Sequence, residues 1–241
     1  MTTFPWSEEV LRLQREATLM RTRGDALRRL SKYDESNLQF RAGIALLEEA
    51  LRALAQPPLS IGPGGSRALS EEERARAREL VEVHGARAGL LRRVGDAASA
   101  LEAYSIGAAL ERQFVPESTY NRTNEIKYGL LTGMANLTDL SPDIEVLERE
   151  MTRSLNENPE LGDSGWAWAD LGDLRALRGD REGAERAYRT FIGKAKPTAP
   201  RTTLDVLSSI VTVLEQTNNT RADTVRQSLE FVRDRLSPRF G

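Results

Sequence analysis

The sequence predicts an all-α fold, an α-solenoid of about five antiparallel helix pairs, and three observations carry that prediction. Ten segments of the chain place apolar residues at helical spacing. The breaks between them carry Gly, Pro and Ser/Thr/Asp helix-start residues, and no place remains for long strands. At 241 residues the chain is long for one compact core, whereas an array whose pairs pack only on their neighbours has no such limit, so one elongated domain over 1–241 is expected.

The first segment opens at Ser7-Glu8-Glu9-Val10 and runs to about Leu30. The second runs from about Tyr33 to Ala55, with Leu38, Ala42, Ala45, Leu46 and Leu51 as its expected buried stripe, and stops at Gln56-Pro57-Pro58. Together they form a first repeat over 7–56, followed by a linker over 57–69. The linker's Ile61-Gly62-Pro63-Gly64-Gly65-Ser66-Arg67 run lacks the Gly-Lys-Ser/Thr ending and the preceding strand of a phosphate loop, and reads as a flexible connection. Ser70-Glu71-Glu72-Glu73 reads as a capping box, in which hydroxyl and carboxylate satisfy reciprocal orphan amides. It opens a helix to about Val94, and a segment over 97–114 completes a second repeat over 70–114. Segments at 117–134 and 142–157 make an irregular pair over 117–157. The second of them starts at Ser141-Pro142, with Ser as cap and Pro where its missing N–H costs nothing. A third repeat over 164–197 holds segments 164–178 and 181–195, and a terminal pair over 200–236 caps the array.

Composition excludes several function classes. With no cysteine, disulfides, thiolate metal sites and cysteine nucleophiles fall away together. A net charge of −2 argues against a dedicated nucleic-acid binder. The N-terminus lacks a basic segment followed by an apolar core, and no stretch approaches the roughly 18 to 20 apolar residues that span a bilayer, so a cytoplasmic protein without a membrane partner is expected. Only four of 34 basic residues are lysines, a skew that fits a GC-rich bacterial genome.

Aligned on their turns, the segments repeat a pattern that is clearest in Trp168, Leu171-Gly172, Gly179-Asp180, Ala184, Tyr188, Phe191 and Pro197. A second copy reads Ala88, Leu91, Gly95-Asp96, Ala100, Tyr104 and Gly107; a third reads Gly24, Leu27, Tyr33, Ser36, Phe40 and Gly43. The pattern resembles the tetratricopeptide repeat, and the resemblance implies a right-handed solenoid whose concave face binds a protein or peptide. A narrower resemblance covers roughly Gly95 to Gln216. Tyr120-Asn121-Arg122-Thr123-Asn124, leading into Leu130-Leu131-Thr132-Gly133 and then the Trp168 repeat, is similar to the bacterial and metazoan family of TRAFs-binding or tetratricopeptide-sensor domains. That likeness implies sensing of a nucleotide-derived or protein signal in defence or stress signalling.

In such a stack the first helix of each pair lines the groove. The groove positions include Arg21, Asp25, Arg28 and Arg29, then Glu82, Gly89, Arg92 and Arg93, then Trp166 and Asp173. The arginines make the N-terminal end mostly basic and suited to carboxylate or phosphate; the plainer reading is a solvated charged face. Tyr120, Asn121 and Asn124 could stack on and hydrogen-bond a nucleobase, or they could simply start a helix. Trp166 and Trp168, two apart, point to different sides, so a core Trp168 leaves Trp166 on the groove as an anchor or as a cover for the neighbouring repeat. His84, the single histidine, has no partner motif for a metal site or a triad and reads as a satisfied structural residue. No cofactor is expected, and no carboxylate is singled out as an acid or base. The sequence therefore favours a non-catalytic regulatory module that binds a protein or peptide partner. The alternative is a sensor of a nucleotide-like small ligand.

Overall fold

Apolar periodicity and its punctuation become helices throughout a computed structural model that describes residues 4, 6–55, 69–194 and 199–236, and of residues 199–203 and 236 the backbone alone. The described helices are α1 (Ser7–Arg29), α2 (Tyr33–Leu54), α3 (Glu71–Arg93), α4 (Ala97–Phe114), α5 (Tyr120–Leu131), α6 (Leu137–Glu157), α7 (Trp166–Arg178), α8 (Arg181–Lys194), α9 (Ala199–Gln216) and α10 (Ala222–Leu236). A single 3-10 turn, Pro159–Gly162, precedes α7, and the described residues contain no strand. The chain is all-α. The predicted Gly-rich linker and Pro197 lie outside the described residues. No described helix is long and apolar enough to cross a membrane.

Three of the helix pairs share one turn. At Ser31, Gly95 and Gly179 the backbone enters the left-handed region, with φ of 59°, 86° and 92°. The N–H of each bonds back three residues and the next N–H bonds back five, to Leu27 O, Leu91 O and Arg175 O. This satisfies the carbonyls that a helix end leaves orphaned. Each turn follows, by seven residues, a small residue (Gly24, Ala88, Gly172) that lies sixteen before a buried ring (Phe40, Tyr104, Tyr188). The Phe40 ring occupies the space a Gly24 side chain would need, and the Tyr188 ring comes within 2.6 Å of where a Cβ on Gly172 would sit. Large ring against absent side chain is what lets the two helices of a pair approach closely.

Contacts divide the chain into two compact units between Glu125 and Ile126, a boundary that falls inside α5. In the first, α2 packs on both α1 and α3, and Val10, Leu13, Phe40, Leu47, Leu54 and Leu90 form the main core. In the second, α6 packs on α7, α7 on α8 and α9 on α10, around Ile144, Leu174, Tyr188, Phe191, Ile210 and Val225.

Two expectations need correction. The buried stripe of α2 is Ser36, Phe40, Gly43, Leu47, Ala50 and Leu54, while Leu38, Ala42 and Ala45 are exposed. Helix α2 carries apolar residues on more than one face, and burial follows the face that meets both neighbours; Ser36 is tolerated there because its Oγ donates to Gly24 O at 2.9 Å. Helix α6 starts five residues before Pro142, at a cap where Asn136 Oδ1 accepts from Asp139 N at 3.0 Å. Pro142 then sits in the second turn and forfeits one backbone bond. By contrast the Ser70 capping box is present in full: Ser70 Oγ accepts from Glu73 N at 3.1 Å and Ser70 N donates to the Glu73 carboxylate at 2.8 Å.

Candidate functional site

The start of α5 is built around a carboxylate from α4. Glu111 is 0% exposed. Its Oε1 accepts from Ser118 Oγ at 2.8 Å, Asn121 N at 2.9 Å and Asn121 Nδ2 at 3.0 Å, and its Oε2 accepts from Arg122 N at 3.0 Å. Free N–H groups and the positive end of the helix dipole make this a favourable place for an anion. Asn121 also donates to Val81 O at 3.1 Å, and a Cβ on Gly107 would lie 2.5 Å from its Cγ, so the side chain is clamped among α3, α4 and α5.

That geometry corrects the proposed ligand-reading trio. Asn121 is wholly buried, and Asn124, also buried, donates to Tyr120 O at 2.8 Å. Neither amide is presented to a ligand. Tyr120 is half-exposed, with its ring against Gly85 and edge-on to Tyr104 at 6.1 Å.

The basic groove is thinner than the sequence implies. Arg28 donates to Asn37 Oδ1 and Arg93 O and lies over the Phe40 ring, and Arg93 pairs with Asp25 at 2.9 Å and with Gly89 O. These two guanidinium groups stitch α1 to α2 and α3. Arg21 and Arg29 are exposed and Arg92 is half-buried. His84 is buried, and its Nδ1 has no hydrogen-bond partner, so it is not the satisfied residue expected. Burial, with help from the nearby charge of Arg87, pushes its pKa down to about 4.

In the second unit Asp173, placed in the groove by sequence, is instead internal. Lys127, 5% exposed, donates to Asp170 Oδ1 at 2.9 Å and Asp173 Oδ2 at 2.8 Å, and Tyr188 OH donates to Asp173 Oδ1 at 2.8 Å. Burial alone would lower the Lys127 pKa, but the two carboxylates outweigh it and hold the amine protonated. Burial, then the Asp173 charge, raises the Tyr188 phenol well above its ordinary value. Lysine and phenol are thus locked in their protonated forms.

Two surface features of this unit remain. Trp166 opens α7 and is 42% exposed, with its ring against Phe191 at 5.5 Å. Trp168 turns the other way, half-buried against the core and against Gly162. The second feature is an open depression of about 520 Å³ on α6 and α7, lined by Glu148, Arg149, Thr152, Arg153, Asn156, Glu157, Arg175 and Arg178. None of these was singled out from sequence, although the spacing of Arg149 and Arg153, one turn apart, was there to be read. Among the described residues no cluster of three or more His, Cys, Asp or Glu side chains could hold a metal ion.

No family model matches the chain, and no curated protein matches it. Among solved structures it is similar to the crystal structure of BtubC (BKLC) from P. vanneervenii. The two share 14% identity over 98% of this chain and 93% of that one, with a TM-score of 0.40.

Proposed function

We propose that the chain is a non-catalytic regulatory binding module of tetratricopeptide-like helix pairs that engages a protein or peptide partner. The observation that carries this reading is Trp166, a large aromatic left 42% exposed at the start of a helix whose other tryptophan is packed inward. Tryptophan is one of the residues enriched among the energetic anchors of protein interfaces. The repeated small-residue and ring clamp at Gly24/Phe40 and Gly172/Tyr188 supports the repeat reading. Sequestration of Glu111, Lys127, Asp170 and Asp173 inside the fold favours binding over acid–base work at those groups. A place in bacterial signalling or defence rests on the resemblance alone.

The test pairs two substitutions. Trp166→Ala should abolish recovery of the partner from the native host while leaving the thermal midpoint unchanged. Trp168→Ala should lose roughly 3 kcal/mol of stability in urea unfolding, as for other large-to-small changes. Equal loss of stability in both would show that the anchor is a structural residue. A nucleotide-like molecule released from the purified, denatured chain, with no protein partner, would overturn the reading in favour of a small-ligand sensor.

A further inference from the structure

Four arginines face two glutamates around the depression on α6 and α7. One glutamate is already engaged: Glu148, buried, holds Arg175 Nε at 3.0 Å on one oxygen and Arg178 Nη1 at 2.7 Å on the other. Arg175 is tied further to Gly183 O at 3.3 Å and Thr152 Oγ1 at 3.4 Å. These bonds fix the α7 side of the depression.

The α6 side is different. The Arg149 side chain is 68% exposed and stands 3.8 Å from Glu145, beyond hydrogen-bond range. Arg153 is exposed and has no ion-pair partner among the described residues. Four residues apart on one helix, the two lie about 6 Å apart along its axis. An extended peptide presents alternate side chains to one side at intervals of about 6.7 Å. Two exposed guanidinium groups, of which Arg149 makes only a solvent-exposed ion pair with Glu145, therefore match carboxylates at positions i and i+2 of an extended segment, each able to take one bidentately. Thr152 and Asn156, on the same strip of α6, line the depression with groups that can bond a peptide backbone. The depression is open, so a chain can lie through it.

We propose that this depression binds an extended acidic segment of a protein partner, with Arg149 and Arg153 as the contact residues. The inference rests on the binding-module reading and specifies its ligand. A fluorescently labelled peptide of alternating glutamate and serine, titrated into the full chain by anisotropy, tests it against the same peptide with glutamine for glutamate. The acidic peptide should bind saturably, more weakly as salt rises, and the neutral one should not. Arg149→Glu combined with Arg153→Glu should weaken binding at least tenfold. Arg186→Glu, at an exposed position on α8, should leave it unchanged. Arg149→Gln with Arg153→Gln keeps the test open if charge reversal unfolds the chain. No saturable binding, equal binding by the double variants, or binding of inorganic tripolyphosphate without binding of the peptide would each overturn the inference. If the peptide fails while partner recovery still depends on Trp166, the inference falls and the module stands; if both fail, both fall.

Discussion

Glu111 in the first unit and Lys127 in the second are each shielded from water, yet Glu111 takes its hydrogen bonds from the N–H and O–H groups of one helix start, with the Arg122 guanidinium of that same start 3.8 Å away, whereas Lys127 takes two carboxylates from α7. A buried anion can be solvated by backbone dipoles that the chain must satisfy anyway, so its network stays within about ten residues. A buried cation finds no such supply at a helix start and needs counter-charges, here 43 and 46 residues away. The first arrangement organises one helix terminus; the second ties helices α5, α7 and α8 together through Asp173 and Tyr188.

The difference can be broken by substitution. Lys127→Met leaves Asp170 and Asp173 buried and facing each other, and should cost roughly 3 to 5 kcal/mol in urea unfolding. A loss under about 1 kcal/mol would mean that water already reaches the carboxylates and that the two sites are not opposites. Acid probes the first unit through His84. Its folded pKa of about 4 lies below the ordinary 6.5, so the unfolded chain binds the proton more readily. The contribution is intact above pH 6.5 and is lost as pH falls toward 4, by up to roughly 3 kcal/mol. His84→Gln should flatten that part of the stability profile; an unaltered slope would place the acid sensitivity elsewhere. Glu111→Gln is the mildest test, at roughly 1 to 2 kcal/mol for a lost charge-assisted acceptor. Faster amide exchange should be confined to Asn121, Arg122 and their neighbours, and acceleration spread across α1 and α2 would show that the network is not local.

Element boundaries were legible in the sequence because Gly, Pro and capping residues act locally. The Ser70 box and the Gly95 and Gly179 turns form where their residues stand. Faces were less legible. Leu38, Ala42 and Ala45 keep helical spacing as well as the true stripe does, and only contact with α1 and α3 decides between them. The start of α6 is ambiguous in the sequence because Ser141-Pro142 and Asn136 are both competent helix starts, and the chain uses the earlier one. At the candidate site, two-residue spacing was enough to send Trp166 and Trp168 to different sides. Asn121, Asn124 and Asp173 look like surface polar residues on any local reading. Their burial depends on Glu111, Tyr120 and Lys127, and no short-range pattern tells which few of 70 charged side chains lie inside.

The enclosure of Lys127 also gives the molecule an internal clock. Of four lysines, Lys32 and Lys194 have side chains that are at least one-third exposed, while Lys127 is closed off and held protonated by two carboxylates. An amine-directed acylating reagent reacts only with the neutral, accessible form, so it passes Lys127 by until α5 and α7 part. The rate at which Lys127 is modified then counts the openings of that helix contact, and needs no introduced probe to do so.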